Sequence, residues 1–277
     1  MEAEIQTRFD RLSAILAQWP SLLVAFSGGV DSSLLLAVAS RTLGERAIGL
    51  TAVSPTMPQA DRRSALDMAA LIGARHLIVE TNELDVSGYA ANPVNRCYLC
   101  KSNLFDICEE KARELGIAAI ADGLNLDDLR DYRPGVSAAG ERQILHPLVE
   151  AGLDKAAIRE LSHALGLPTW DRPASPCLSS RFPYGTPITV EALRMVEAGE
   201  RRLHELGFRI ARVRYHGEVA RIEVDPAEIG RLMDPVLRSG VYEDFRQIGF
   251  RFVTVDLVGF RSGSLNEGLG LKPTGGS

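Results

Sequence analysis

The chain has 277 residues, 45% apolar and 24% charged, with a net charge of −5 and a pI near 5.6. That length holds one large or two modest domains with an ample core, and the acidic balance does not favour binding nucleic acid by bulk attraction. No apolar run approaches the roughly 18 residues of a membrane helix and no signal-peptide pattern opens the sequence, so a cytoplasmic location is expected.

Residues 3–18 read as an amphipathic helix, with Ile5, Phe9, Leu12, Ile15 and Leu16 on one side. Leu22–Phe26 reads as a short strand, and Leu34–Ala39 belongs to a helix, so residues 27–33 between them form a tight strand-to-helix turn. A second strand is expected over 46–53, a helix over 59–72, a third strand over 76–79, a helix over 98–115 and a fourth strand over 118–121. This alternation predicts an α/β fold with a parallel, doubly wound sheet. Gln143–Leu148 looks strand-like and a helix follows from Lys155 to Leu165. Five prolines crowd the stretch from Gly166 to Pro187, which places a domain boundary near residue 170: an α/β domain over 1–170 and a smaller α+β domain over 171–277. The second domain is expected to hold a helix over 190–206, a half-buried hairpin of 209–215 and 219–224, and a strand at 252–255. The tail from Arg261 on, rich in Gly and Ser, is expected to be mobile.

Ser27-Gly28-Gly29-Val30-Asp31-Ser32-Ser33 is the chemical centre of the first domain. A glycine turn at a helix start aims backbone N–H groups and the helix dipole at one point, which makes an anion site. Asp31 would repel a phosphate unless a cation stands between them, which implies Mg²⁺. A Walker loop would carry a lysine here, and this loop has none. Ala25 and Thr51, at the carboxyl ends of two strands, and Gly123, after the fourth, join Ser27, Gly28, Gly29, Asp31 and Ser32 as expected contacts of the anionic ligand. Asp122-Gly123-Leu124-Asn125-Leu126-Asp127-Asp128 forms the loop after the fourth strand.

Four cysteines are too few for a disulfide framework and point to metal or catalytic chemistry. Cys97 and Cys100 lie three apart at a helix start, on one face, either as ligands of one metal centre or as plain thiols. A second close pair, as in a zinc knuckle, is missing; Cys177 makes three thiolates, which suits an iron–sulfur cluster with one open iron. Cys108, mid-helix, reads as a small buried hydrophobe. Cys177 lies in a proline-braced loop between Arg172 and Arg181, and positive neighbours favour a nucleophilic thiolate. Only four of the 31 basic side chains are lysines. One, Lys101, sits at a helix start against the dipole, which suggests that it holds a phosphate or an activated carboxylate. Glu200 falls on the apolar stripe of Leu193, Val196 and Leu203 and needs an arginine or a metal. Arg212, Arg214 and Glu223 share the polar face of the hairpin; with Arg181, the arginines are expected to hold a substrate phosphate, and Glu200 and Glu223 are candidate metal ligands.

The 27–32 motif resembles the PP-loop of the N-type ATP pyrophosphatases, which implies ATP cleavage between the α and β phosphates. Together with N-R-C-Y-L-C-K (95–101), D-G-x-N-x-D-D (122–128), P-C-L-S-S-R-F-x-Y-G (176–185) and R-V-R-Y-H-G…A-R-I-E-V (212–224), the sequence resembles the LarE family across nearly its whole length. That resemblance implies adenylation of a carboxylate of a pyridinium dicarboxylate mononucleotide by Mg-ATP, followed by sulfur insertion in nickel-pincer cofactor synthesis. It implies that Cys177 either gives up its own sulfur or, with Cys97 and Cys100, holds a four-iron cluster that passes on a sulfide. The expected partners are a small mononucleotide substrate and further copies of the chain in a homo-oligomer, with neither membrane nor nucleic acid. Two rival classes remain: a tRNA thiolase with a PP-loop and three cysteines, and an amidating ligase of the NAD- or GMP-synthetase kind. A non-enzymatic nucleotide sensor is a third.

Overall fold

A computed structural model describes residues 3–130, 134–261 and 263–264. They divide into two compact units: the first contains the described residues up to Val86 and Asn95–Ser175, the second Ser87–Val94 and the described residues from Pro176 on. In the first unit the order is α1 (Ala3–Leu16), β1 (Leu22–Ala25), α2 (Val30–Leu43), β2 (Ala47–Val53), α3 (Gln59–Ile72), β3 (Arg75–Glu80), α4 (Arg96–Leu115), β4 (Ala119–Ala121), α5 (Pro134–Gly140), α6 (Pro147–Glu150) and α7 (Lys155–Ala164).

The four strands are parallel in the order β3-β2-β1-β4. Alternation along β1 explains the layering. Leu22 and Val24 point into a core built with α1, α2, α3 and α7, including Leu12, Leu16, Leu34, Met68 and Leu161. Leu23 and Ala25 point the other way, toward Cys108 and Ala112 of α4. Helices therefore cover both faces, and the sheet is doubly wound as expected. β2 and β3 extend to one side of β1 and β4 lies on the other, so the order reverses between β1 and β4. Ligands of such sheets bind beyond the carboxyl ends of the strands at that point.

Gln143–Leu148 does not form a strand. Only Leu145 bridges to Ala121, because Pro147 opens the short α6 two residues later and a proline cannot extend a ladder.

The second unit holds α8 (Val190–Glu205), β5 (Ala211–His216), β6 (Val219–Val224), α9 (Pro235–Ile248) and β7 (Phe252–Val255). β5 and β6 form the expected antiparallel hairpin, and β7 adds parallel to β6. A parallel neighbour needs a crossover, and α9 supplies it. Sequence periodicity did not announce α9, since only Val241 and Phe245 of it are buried. The glycine-rich tail from 265 on lies outside the described residues. Among the described residues no helix is long and apolar enough to cross a membrane.

Candidate active site

The loop from Ser27 to Gly29 leaves β1 at the reversal point. Gly28 has φ +70°, and a Cβ there would sit 2.6 Å from the Ala65 Cα of α3, so the position excludes a side chain both by conformation and by space. No side chain caps the N-terminus of α2, whose N-cap is Gly29. An uncapped first turn leaves N–H donors for an outside acceptor. The Ser27 and Ser32 hydroxyls stand 3.1 Å apart beside it. Gly123, arriving from β4, packs against the same turn: a Cβ would lie 3.0 Å from the Ser32 nitrogen and 3.2 Å from the Asp31 Cβ. Ser27, Gly28, Gly29, Asp31, Ser32 and Gly123 thus converge at one place. Ala25, the last residue of β1, belongs to the core on the α4 side.

Thr51 lies near the carboxyl end of β2. Its hydroxyl donates to the Phe26 carbonyl at 2.7 Å and stands 2.8 Å from His76 Nε2. The single hydroxyl proton goes to Phe26, so His76 Nε2 carries the other proton. Burial holds the His76 pKa low, which keeps the ring neutral. The Thr51 hydroxyl thus ties β2 to the end of β1 and to β3.

Asp31 has an unforeseen partner. Lys155 Nζ, from the first turn of α7, lies 2.5 and 2.7 Å from its two carboxylate oxygens, and Asn125 Nδ2 lies 3.4 Å from Oδ1. The 122–128 loop holds itself in place: the buried Asn125 accepts from the Asp127 and Asp128 amides, and Asp128 accepts from the Asn125 amide. Asp127 accepts from the Lys155 backbone N–H at 2.8 Å. The signal for Lys155 was present in the sequence: like Lys101, it is a scarce lysine placed against a helix dipole.

Lys101 Nζ stands 3.9 Å from Asp122 and 5.3 Å from the Phe105 ring centroid. Asp122 also accepts from His146 Nδ1 at 2.8 Å and from the Leu124 amide. Burial alone would raise the Asp122 carboxyl, but the His146 hydrogen bond and the Lys101 charge hold it below the usual carboxylate range. Cys97 is exposed and Cys100 half-buried on the first turn of α4. The Cys100 thiol points at Glu83 Oε1, 3.9 Å away. Glu83 is buried, and its other carboxylate oxygen has no partner. Cys108 is fully buried as expected, and burial pushes its thiol up to about 12.

Arg172 is anchored within the first unit. Its guanidinium is bound by Asp61 at 2.6 Å, Ser64 at 2.5 Å and the Gly28 carbonyl at 3.3 Å. Ser175 donates to the other Asp61 oxygen at 2.8 Å.

In the second unit Cys177 is half-exposed and precedes the turn Leu178–Arg181. Arg181, expected to bind a substrate phosphate, holds this loop instead. Its Nη1 donates to the Pro176 and Cys177 carbonyls, while Nε and Nη2 form two 2.8 Å bonds with Glu200. Glu200, a candidate metal ligand, also accepts from the Val213 amide. Burial would raise its carboxyl, and the Arg181 hydrogen bonds and charge hold it low. A buried guanidinium and carboxylate satisfy each other far better than either would alone. Glu223, also expected near a metal, is fully buried between Arg214 at 2.7 Å and Arg221 at 3.0 Å. Arg214 reaches the Ser180 carbonyl as well, at 2.9 Å. Arg212 is half-buried, 5.4 Å from the Phe260 ring centroid. Tyr89 and Asn92 brace the loop from the segment 87–94: Tyr89 Oη stands 2.8 Å from Ser179 Oγ, and Asn92 Nδ2 donates to the Pro183 carbonyl at 2.8 Å.

No family model matches the chain. It is 44% identical over 263 residues to the uncharacterized protein slr1717 of Synechocystis sp., covering 95% of this chain and 98% of that one. It is 36% identical over 268 residues to the pyridinium-3,5-bisthiocarboxylic acid mononucleotide synthase of Lactiplantibacillus plantarum, covering 96% of each. The B subunit of the glutamine-hydrolyzing GMP synthase of Methanosphaerula palustris is 24% identical over 157 residues, covering 53% of this chain and 51% of that one. These matches mark an enzyme of the PP-loop ATP pyrophosphatase type. The full-length match carries the assignment further: the chain belongs to the LarE family of pyridinium-3,5-bisthiocarboxylic acid mononucleotide synthases.

Proposed function

We propose that the enzyme uses ATP to convert a carboxylate of a pyridinium-3,5-dicarboxylate mononucleotide into a thiocarboxylate for nickel-pincer cofactor synthesis. The carboxylate oxygen attacks the ATP α-phosphorus and pyrophosphate leaves, giving an acyl adenylate. The Cys177 sulfur then attacks the acyl carbon and AMP leaves, giving a thioester. Loss of the Cys177 α-proton breaks its Cβ–S bond; the thiocarboxylate keeps the sulfur and residue 177 becomes dehydroalanine.

The observation that carries this reading is the mooring of Cys177. Arg181 fixes the Pro176 and Cys177 carbonyls, so the thiol is presented from a braced loop. A structural cysteine would sit sealed like Cys108.

Mg²⁺ fits the first unit by donor chemistry. Asp31 offers a carboxylate beside the loop and the Ser27 and Ser32 hydroxyls adjoin it, the hard oxygen ligands this ion prefers with substrate phosphates. Bound there, it would neutralise phosphate charge. Cys97 and Cys100, unsealed and one helical turn apart, are thiols of the kind that ligate a four-iron cluster. Such a cluster would supply sulfide and spare the Cys177 sulfur. The deciding experiment is single turnover with ATP and the substrate, followed by mass analysis. Loss of one hydrogen sulfide from Cys177 with thiocarboxylate formed supports sacrifice; thiocarboxylate with Cys177 intact supports supplied sulfide; AMP with no thiocarboxylate sinks the proposal.

A further inference from the structure

We propose that Asp61 is a positioning residue for sulfur transfer: its carboxylate clasps Arg172 and Ser175, in the stretch that leads into Cys177, and moors that stretch to α3 and the glycine loop. This rests on the reading of Cys177 as the sulfur donor.

Asp61 stands in the first turn of α3, and both of its carboxylate oxygens are engaged. Oδ1 accepts from Arg172 Nη2 at 2.6 Å, and Oδ2 accepts from the Ser175 hydroxyl at 2.8 Å. The Asp61 and Arg172 side chains are 13% and 25% exposed, so this pair is better shielded from solvent than an ordinary surface ion pair. On the other side of the guanidinium, Nη1 donates to the Ser64 hydroxyl at 2.5 Å and to the Gly28 carbonyl at 3.3 Å. The Ser64 hydroxyl donates to the same carbonyl at 3.4 Å. Gly28 is itself pressed against Ala65 of α3. One carboxylate thus joins the helix, the glycine loop and the chain over 172–175.

Ser175 closes the first unit, and Cys177 follows two residues later. Pro173 lies inside the clasp and Pro176 just beyond it, and the fixed φ of proline takes slack out of both. A bond network that only stapled α3 would have no use for the Ser175 hydroxyl. The chemistry gives the clasp a purpose. Once the acyl adenylate forms, sulfur must reach its acyl carbon before water does. If water adds first, its oxygen bonds to the acyl carbon, AMP leaves with the C–O electron pair and two protons are released. The carboxylate is restored and no sulfur is transferred. A misplacement of about 1 Å costs on the order of 100-fold in a step that depends on such positioning.

The test compares full-length wild type, Asp61→Ala and Ser175→Ala, each checked for folding by circular dichroism. Two quantities are read: ATP–pyrophosphate exchange driven by the carboxylate substrate, with its KM for ATP, and the thiocarboxylate formed per AMP released in a single turnover. We expect Asp61→Ala to keep the exchange rate and KM within about threefold of wild type and to lower thiocarboxylate per AMP about 10- to 100-fold. Ser175→Ala, at an exposed position, should lower the same ratio about three- to tenfold, the range of one hydrogen bond to a charged group in this setting. A wild-type ratio in both variants overturns the positioning role, and so does an equal fall in exchange and transfer, which a general loss of structure would produce. If Asp61→Ala does not fold, Ser175→Ala decides alone by the same ratio. Wild type that releases AMP and forms no thiocarboxylate overturns the sulfur-transfer reading and the positioning role with it; wild type that forms thiocarboxylate no better than the two variants overturns the positioning role alone.

Discussion

Arg181 and Glu200 face each other through two parallel N–H···O bonds of 2.8 Å, both side chains buried. The fork of a guanidinium matches a carboxylate in this way and an ammonium does not. Glu200→Gln and Arg181→Met should each lower stability by about 3–5 kcal/mol, the cost of stranding a buried charge, measured by urea unfolding. A loss under about 1 kcal/mol would mean that the pair is dispensable to the fold.

The same pair sets an acid limit. Glu200 is held below its ordinary 4.5 and Asp122 below its ordinary 3.8. A carboxyl depressed by folding contributes stability that is complete above its unfolded pKa and is lost as pH falls through its folded one. Stability should therefore be level from pH 7 down to about pH 5 and fall below about pH 4.5. A melting series over pH 3–7 checks this, and Glu200→Gln should show a shallower fall.

Cys177→Ala should retain ATP–pyrophosphate exchange driven by the carboxylate substrate and form no thiocarboxylate. If Cys177→Ala still converts substrate at the wild-type rate, the amidating-ligase reading gains and sulfur transfer from this residue is refuted.

Gly28→Ala places a methyl 2.6 Å from a backbone atom of α3 at φ +70°. It should abolish pyrophosphate exchange and lower the melting temperature, because αL strain costs about 1–3 kcal/mol before the clash is counted. Gly217→Ala, at φ +67° but with open space around it, separates the two causes: it should lower the melting temperature less and leave exchange intact.

If Cys97 and Cys100 ligate a cluster that supplies the sulfide in place of Cys177, anaerobic purification should give a brown protein carrying iron and sulfide, with both lost in Cys97→Ser and Cys100→Ser. Colourless, iron-free wild type, prepared and reconstituted without oxygen, would assign these cysteines another role.

The strand, glycine loop and α2 were legible because each is written in contiguous residues: an apolar run, two glycines, then helix formers. The candidate site was legible where a motif carries its own geometry, as in Ser27–Ser32 and Gly123. It was obscure where the partner lies far along the chain. Glu200 was recognisable as a misfit on an apolar stripe, but its partner is Arg181 rather than a hairpin arginine. Arg172 looked like a neighbour of Cys177 at five residues' distance, yet it binds Asp61, 111 residues away. Lys155 and Asp31 are 124 apart, and no local pattern pairs them. α9 was missed because its apolar stripe is thin, although Asp234-Pro235 at its start and Gly249 at its end are ordinary helix punctuation.

The segment Ser87–Val94 has a practical consequence for dissecting the protein. Because Tyr89 and Asn92 lie before α4 in the chain but brace the loop after Cys177, a fragment cut at Pro176 would lack two of the ties that shape that loop. Expression trials that separate the halves should therefore carry the octapeptide over, grafted through a short linker ahead of Pro176, or the thiol would be displayed on an unbraced turn.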